Sequence, residues 1–360
     1  MSSAPTKRLI LLLAVVLVVY FVLTSATVYT AGIRVLQTVK QLLGLKTATP
    51  KTTDQPPVDA GRPSLPTSIV YKQAENSKPP NMTRMTLYFA DADIMFLVPV
   101  TRTIALTKSP IRETLTELFR GPAPGSGLLS ASAELGLRDL ALRTDGTLRI
   151  DLPAQVVQAT AGWGSSISML TLDSILHTVG EYAAVKQAQF LVGGKTVTTL
   201  FHGLAAGEPI PVPTLTSGES HLTVYYAILA GSRAYLVPDQ TEVARADTVT
   251  LIKRAVDQLS KGKKVGDYQL YPTLPGNVTL LGVDLSGKTA MVNFSGEFAE
   301  LFTMDPARQA LVLDSLLYTL TSFPEVEQVQ ILVEGQKLQK MIGNRNIGEP
   351  LRRPQWINPE

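Results

Sequence analysis

The sequence predicts an α/β protein of the α+β kind: two tandem copies of one small domain, each with a mixed sheet covered by two helices, preceded by an N-terminal transmembrane helix. Three observations predict it. The folded part repeats itself at a spacing of 137 to 141 residues, an uncharged run lies at Leu9 to Ile33, and a proline-rich stretch at 46–84 separates the two.

The uncharged run follows Lys7 and Arg8, and its first fifteen residues, to Leu23, are apolar throughout. At about 1.5 Å per residue, 20–25 such residues cross a bilayer core. Lys7 and Arg8 favour a cytoplasmic N-terminus, which puts the remainder outside the cytoplasm. A cleaved signal peptide is the competing reading, because Thr24 and Ala26 offer small residues at a cleavage site. The uncharged run continues seven residues past that site, which favours an anchor. Ile33, Leu36, Val39, Leu42 and Leu43 then recur at helical spacing, so 1–45 reads as cytoplasmic tip, anchor and juxtamembrane helix. Residues 46–84 hold Pro50, Pro56, Pro57, Pro63, Pro66, Pro79 and Pro80 among polar residues and read as a solvated linker, with a mean reach of about 35 Å.

The first copy is placed at 85–213 and the second at 222–354. MTLY from Met85 matches LTVY from Leu222, and FLVP ending at Pro99 matches YLVP ending at Pro238. LDSILHT from Leu172 matches LDSLLYT from Leu313, and FLVGG from Phe190 matches ILVEG from Ile331. Order and spacing are kept while the offset drifts only between elements, as duplicated domains diverge through their loops. Each copy is expected to open with a strand, Thr86 to Phe89 or Thr223 to Tyr226, and a short returning strand ending at its LVP proline. An amphipathic helix follows, with Ile111, Leu115, Leu118 and Phe119 stopped by Gly121, or Val249, Ile252, Val256 and Leu259 stopped by Gly262. A hairpin comes next, turning at Asp145-Gly146 or Ser286-Gly287. A second helix bears Leu170, Leu176 and Val179, or Leu313, Leu316, Leu317 and Leu320, before a last strand that carries Val329, Ile331 and Val333 in the second copy.

Charge and composition exclude several functions. Residues 1–84 hold ten Lys and Arg against three acids, which leaves 23 against 27 for 85–360, so the folded part is slightly acidic. It lacks the basic stripe that neutralises several phosphates, and no nucleic-acid partner is expected. The chain has no cysteine, which removes thiolate metal sites, cysteine nucleophiles and lipid attachment through cysteine. Gly282 to Thr289, GVDLSGKT, fits the phosphate-loop pattern in letters. The chemistry needs a helix after the loop, whereas AMVNFS follows and alternates as a strand, so no nucleotide is expected. His177, His202 and His221 form no close-spaced metal pair. Ser165 reads as a helix start, Trp163 as a lid on the local core, and Gly193 and Gly194 as a turn. Asp173 and Asp314 occupy matching helix positions and read as acceptors for a neighbouring loop, with ligand contact as the alternative. No catalytic, cofactor-binding or metal residue is assigned, and no cofactor is expected.

YFA (Tyr88 to Ala90), LVPVTR (Leu97 to Arg102), ELFRGP (Glu117 to Pro122), GLLS (Gly127 to Ser130), LDSLLYTLTSFPEVEQVQILVEG (Leu313 to Gly335) and PLRRP (Pro350 to Pro354) together carry a resemblance. The chain resembles a protein with two GerMN domains, the family named for sporulation and spore germination proteins. The resemblance implies a non-enzymatic envelope protein whose domains are similar to ring-building modules and assemble with other envelope or membrane proteins or with themselves. Family members are often lipid-anchored through a cysteine, and this chain departs by using a transmembrane helix. A module binding cell-wall glycan or a small ligand is the alternative.

Overall fold

The computed structural model describes residues 63–66, 68–73, 81–130, 132, 135–201 and 203–360. The expected anchor, the juxtamembrane stretch, residues 46–62 of the expected linker and His202 lie outside the described residues. Among the described residues no helix is long and apolar enough to cross a membrane.

The first copy runs β1 (Met82–Ala90), β2 (Leu97–Ala105), α1 (Pro110–Arg120), β3 (Asp139–Leu142), β4 (Thr147–Leu152), α2 (Ser165–Gly180) and β5 (Gln187–Val192). The second repeats that order as β6 (His221–Ala230), β7 (Arg233–Glu242), α3 (Thr248–Lys261), β8 (Leu280–Ser286), β9 (Thr289–Phe294), α4 (Pro306–Leu320) and β10 (Gln328–Val333). Registers match as well. β4 runs parallel to β5 with Thr147 opposite Gln187, and β9 parallel to β10 with Thr289 opposite Gln328. A parallel pair needs a crossover, and α2 and α4 supply it. A two-residue strand closes each sheet antiparallel, Ala188 facing Ile210 and Val329 facing Leu351.

Local chemistry sets the helix limits. Asp247 accepts from Thr250 N at 2.9 Å and Asp305 from Arg308 N at 3.0 Å, so both helices of the second copy start on a capping carboxylate. Pro110 and Pro306 sit at the first helical turn, where a missing N–H costs nothing. Gly262 ends α3 at φ +68°, and a Cβ there would lie 2.6 Å from Leu270 O, so only glycine fits.

One expectation is corrected. The returning strands do not end at their prolines, since β2 continues to Ala105 and β7 to Glu242. Pro99 faces Tyr88 and Pro238 faces Tyr225 across the hairpins, and each proline's missing donor lies on the outer edge, where no hairpin bond is lost. The opening hairpins stand apart from the mixed sheets. β1–β2 and β6–β7 are separate two-stranded sheets, because the free edge of each first strand is met by helix side chains. Tyr88 N donates to Thr178 Oγ1 at 3.1 Å, and Ser174 Oγ donates to Tyr88 O at 2.6 Å. Tyr225 N donates to Thr319 Oγ1 at 3.0 Å, and Ser315 Oγ donates to Tyr225 O at 2.7 Å. Serine and threonine four residues apart share one helix face. The repeated L-D-S-x-L-x-T sequence is therefore the helix side of a strand-edge seal.

Candidate functional site

The described surface most shaped by the sequence is the seam between the copies, where the outer edges of β2 and β7 meet residues 357–360. Asn358 bonds both hairpins: its Nδ2 donates to Pro99 O and to Leu236 O, each at 2.7 Å, while its Oδ1 accepts from Leu236 N at 2.9 Å. One amide side chain thus acts as a missing peptide between two strand edges. Thr101 N donates to Ile357 O and Glu360 N to Thr101 O, both at 3.0 Å. The Glu360 carboxylate takes Arg102 Nε at 2.6 Å and Ala123 N at 3.0 Å, and Arg102 also meets Glu117 at 2.8 Å. Tyr235 reaches across to donate to Ser126 O at 2.8 Å. A single apolar cluster runs through both copies, from Leu87 and Phe190 to Phe294 and Leu317.

A second feature corrects the reading of 46–84 as solvated throughout. Leu65, Ile69 and Tyr71 are buried against Tyr225, Leu236, Ala310, Leu311 and Tyr318. Val70 pairs with the hairpin apex, its N donating to Ser232 O and its O accepting from Ala234 N, both at 2.9 Å. Tyr71 Oη donates to Asp314 Oδ2 at 2.9 Å, and Arg345 meets the other carboxylate oxygen at 2.5 Å. Asp314 has no exposed surface, and Arg345 retains 8% of its side chain. Burial, then the Asp314 charge, pushes the Tyr71 hydroxyl well above its ordinary value and keeps it a donor. Three apolar side chains and one buried acceptor outweigh the polar composition of the stretch.

Equivalent rings repeat across the copies. Tyr225 lies 5.2 Å from Tyr318 at 32°, and Tyr88 lies 5.0 Å from His177 at 30°. Arg353 of the PLRRP sequence covers Tyr225 and Tyr318 and donates to Tyr225 Oη at 2.8 Å. Tyr88 Oη donates to Glu181 at 2.7 Å. Burial lowers His177 to about 4, so its imidazole is neutral near pH 7.

The residues singled out from sequence do not converge. GVDLSGKT spans β8, a turn with Gly287 at φ +58°, and the start of β9, and Lys288 pairs with Glu327 on the surface. It is followed by a strand, as expected. Ser165 begins α2, and Trp163 packs 5.6 Å from Phe201. Gly193 and Gly194 turn the chain after β5 at φ +59° and +83°. His221 is exposed beside Ser220, at 3.0 Å. Among the described residues no group of three His, Cys, Asp or Glu is placed to hold a metal. Asp314 serves a neighbouring segment, as expected, and Asp173 does not. Sequence reasoning missed Asn358, Glu360 and Tyr71. The alternation of Leu65, Ile69 and Tyr71 was the available signal for the last.

Comparison with known proteins agrees with this architecture. The family model described as "Germane: Sporulation and spore germination" matches residues 86–198 and 223–339, one match per copy. The spore germination protein GerM of Bacillus subtilis is 26% identical over 137 residues, 37% of this chain and 36% of that protein. That match spans about a third of the relative's own length. The solved tandem GerMN domains of the B. subtilis sporulation protein GerM superpose with a TM-score of 0.58 at 18% identity, covering 77% of this chain and 99% of that one. The shared fold is therefore a tandem of two such domains.

Proposed function

This chain belongs to the Germane family of sporulation and spore germination proteins, and from that premise we propose that it is a membrane-anchored, extracytoplasmic scaffold assembling with envelope partners during sporulation or germination. It works by contact and carries out no catalysis. The observation that carries the reading is the seam. Asn358, Glu360 and Tyr235 fix one copy against the other, so the two copies present their outer faces at one set orientation, as assembly on two contact points requires. The uncharged run from Leu9 to Ile33 supplies attachment, in place of a lipidated cysteine that the chain lacks. The names of the relatives support the setting, since GerM of B. subtilis is described as both a germination and a sporulation protein. The test is crosslinking in intact sporulating cells, followed by identification of what is captured. Envelope proteins recovered with this chain, and lost when residues 85–360 are deleted, are the expected result. Recovery of this chain alone across the whole sporulation course contradicts the scaffold.

A further inference from the structure

Duplication gives this chain two equivalent helix faces, and among the described residues only the second is covered by a strap. On α4 the face of Ala310, Leu311, Asp314 and Tyr318 is covered by Leu65, Ile69 and Tyr71. The same positions on α2 are Met169, Leu170, Asp173 and His177. The ring pair beneath is retained, as Tyr88 with His177. Met169 is 41% exposed, and Leu172 is only half-buried where its counterpart Leu313 is fully buried. Leu129 pairs with Ala90 as Tyr271 pairs with Ala227, and it is 44% exposed where Tyr271 packs on the strap cluster. Asp173 has no hydrogen-bond or ion-pair partner among the described residues. Burial alone pushes its carboxyl up, so a hydroxyl donor there would stabilise the carboxylate.

We propose that the α2 face of the first copy is a docking surface for an extended segment of a partner polypeptide, two apolar side chains followed by a tyrosine whose hydroxyl donates to Asp173. The occupied copy is the template for the occupant. Leu65 and Ile69 show which side chains the face takes, and Tyr71 on Asp314 shows the polar anchor. The described strap, Leu65, Ile69 and Tyr71, is already held by the second copy. The hairpin apex differs, since Asp91 Oδ1 accepts from Met95 N at 2.7 Å and Phe96 N at 2.8 Å, which closes the backbone edge that Val70 uses in the second copy. Selection on the first copy therefore falls on side chains. The surface deepens the scaffold reading and rests on it for the identity of a partner.

The experiment uses the full chain in detergent and a fluorescent peptide with the sequence of residues 63–73 as probe, read by anisotropy. Saturable binding is expected, weakened about tenfold or more by Asp173→Asn and by replacing the peptide's tyrosine with phenylalanine. Met169→Glu, an exposed position, is a second variant expected to abolish it. Binding insensitive to both chain variants, or no saturation at millimolar peptide, overturns the proposal. A dimer of the full chain that Met169→Glu dissociates also overturns it, by making a second copy the occupant. In each overturning case the in-cell captures still decide the scaffold reading separately.

Discussion

Asp173 and Asp314 are the same residue at the same helix position of two copies of one domain, and the structure assigns them opposite energetic roles. Asp314→Asn leaves the shape intact and removes the charge that faces Arg345, a guanidinium with 8% of its side chain exposed. Breaking a buried pair by removing one partner costs about 3–5 kcal/mol, because the remaining charge stays buried. The Tyr71 hydrogen bond also weakens, since its acceptor is no longer ionised. Asp173→Asn loses no pairing among the described residues and is expected to change stability by no more than about 0.5 kcal/mol. Replacing Asp314 and Arg345 together by leucine and methionine should recover most of the loss. Urea unfolding of the detergent-solubilised full chain, followed by tryptophan fluorescence, measures all three. A loss below about 1 kcal/mol for Asp314→Asn, or equal losses at the two positions, refutes the assignment.

Asn358→Ala removes three hydrogen bonds and strands Leu236 N at the seam; it should cost about 2 kcal/mol and make the junction near residue 215 the first site cut in limited proteolysis. His177 is neutral when folded, so its contribution is fully present above the unfolded value near 6.5 and is lost as pH falls toward about 4. Unfolding free energy should therefore fall over that window by up to about 1.4 kcal/mol per pH unit, and His177→Gln should flatten the slope. Calorimetric titration with ATP or GTP and magnesium should show no saturable binding, and Lys288→Ala should alter stability by no more than about 0.5 kcal/mol, because a turn between antiparallel strands offers phosphate no helix N-terminus.

Much of the fold was legible because its elements are periodic and occur twice. The strand pairs flanking Asp145-Gly146 and Ser286-Gly287, the helices ending at Gly121 and Gly262, and the last strand with Val329, Ile331 and Val333 fall where sequence placed them. Duplication also exposed GVDLSGKT as a turn, since the first copy has a plain Asp-Gly turn at the same place. Long-range pairing was not legible. Whether β1–β2 joins the mixed sheet depends on Ser174 and Thr178 reaching Tyr88, contacts between residues about 90 apart that leave no local pattern. The strap was hidden by its prolines, which dominate composition while three buried side chains decide its fate. Asn358 and Glu360 were hidden because an amide or carboxylate near a chain end looks solvated until a partner edge comes beside it.

Membrane topology decides whether this tandem works as a scaffold outside the cytoplasm. Reporter fusions placed after Arg84, one an enzyme active only after export and one active only in the cytoplasm, read the location of everything beyond the uncharged run at Leu9 to Ile33. Activity from the exported reporter alone is expected, and it should be lost when Leu9 to Leu23 is interrupted by charged residues. Activity from the cytoplasmic reporter alone would contradict it.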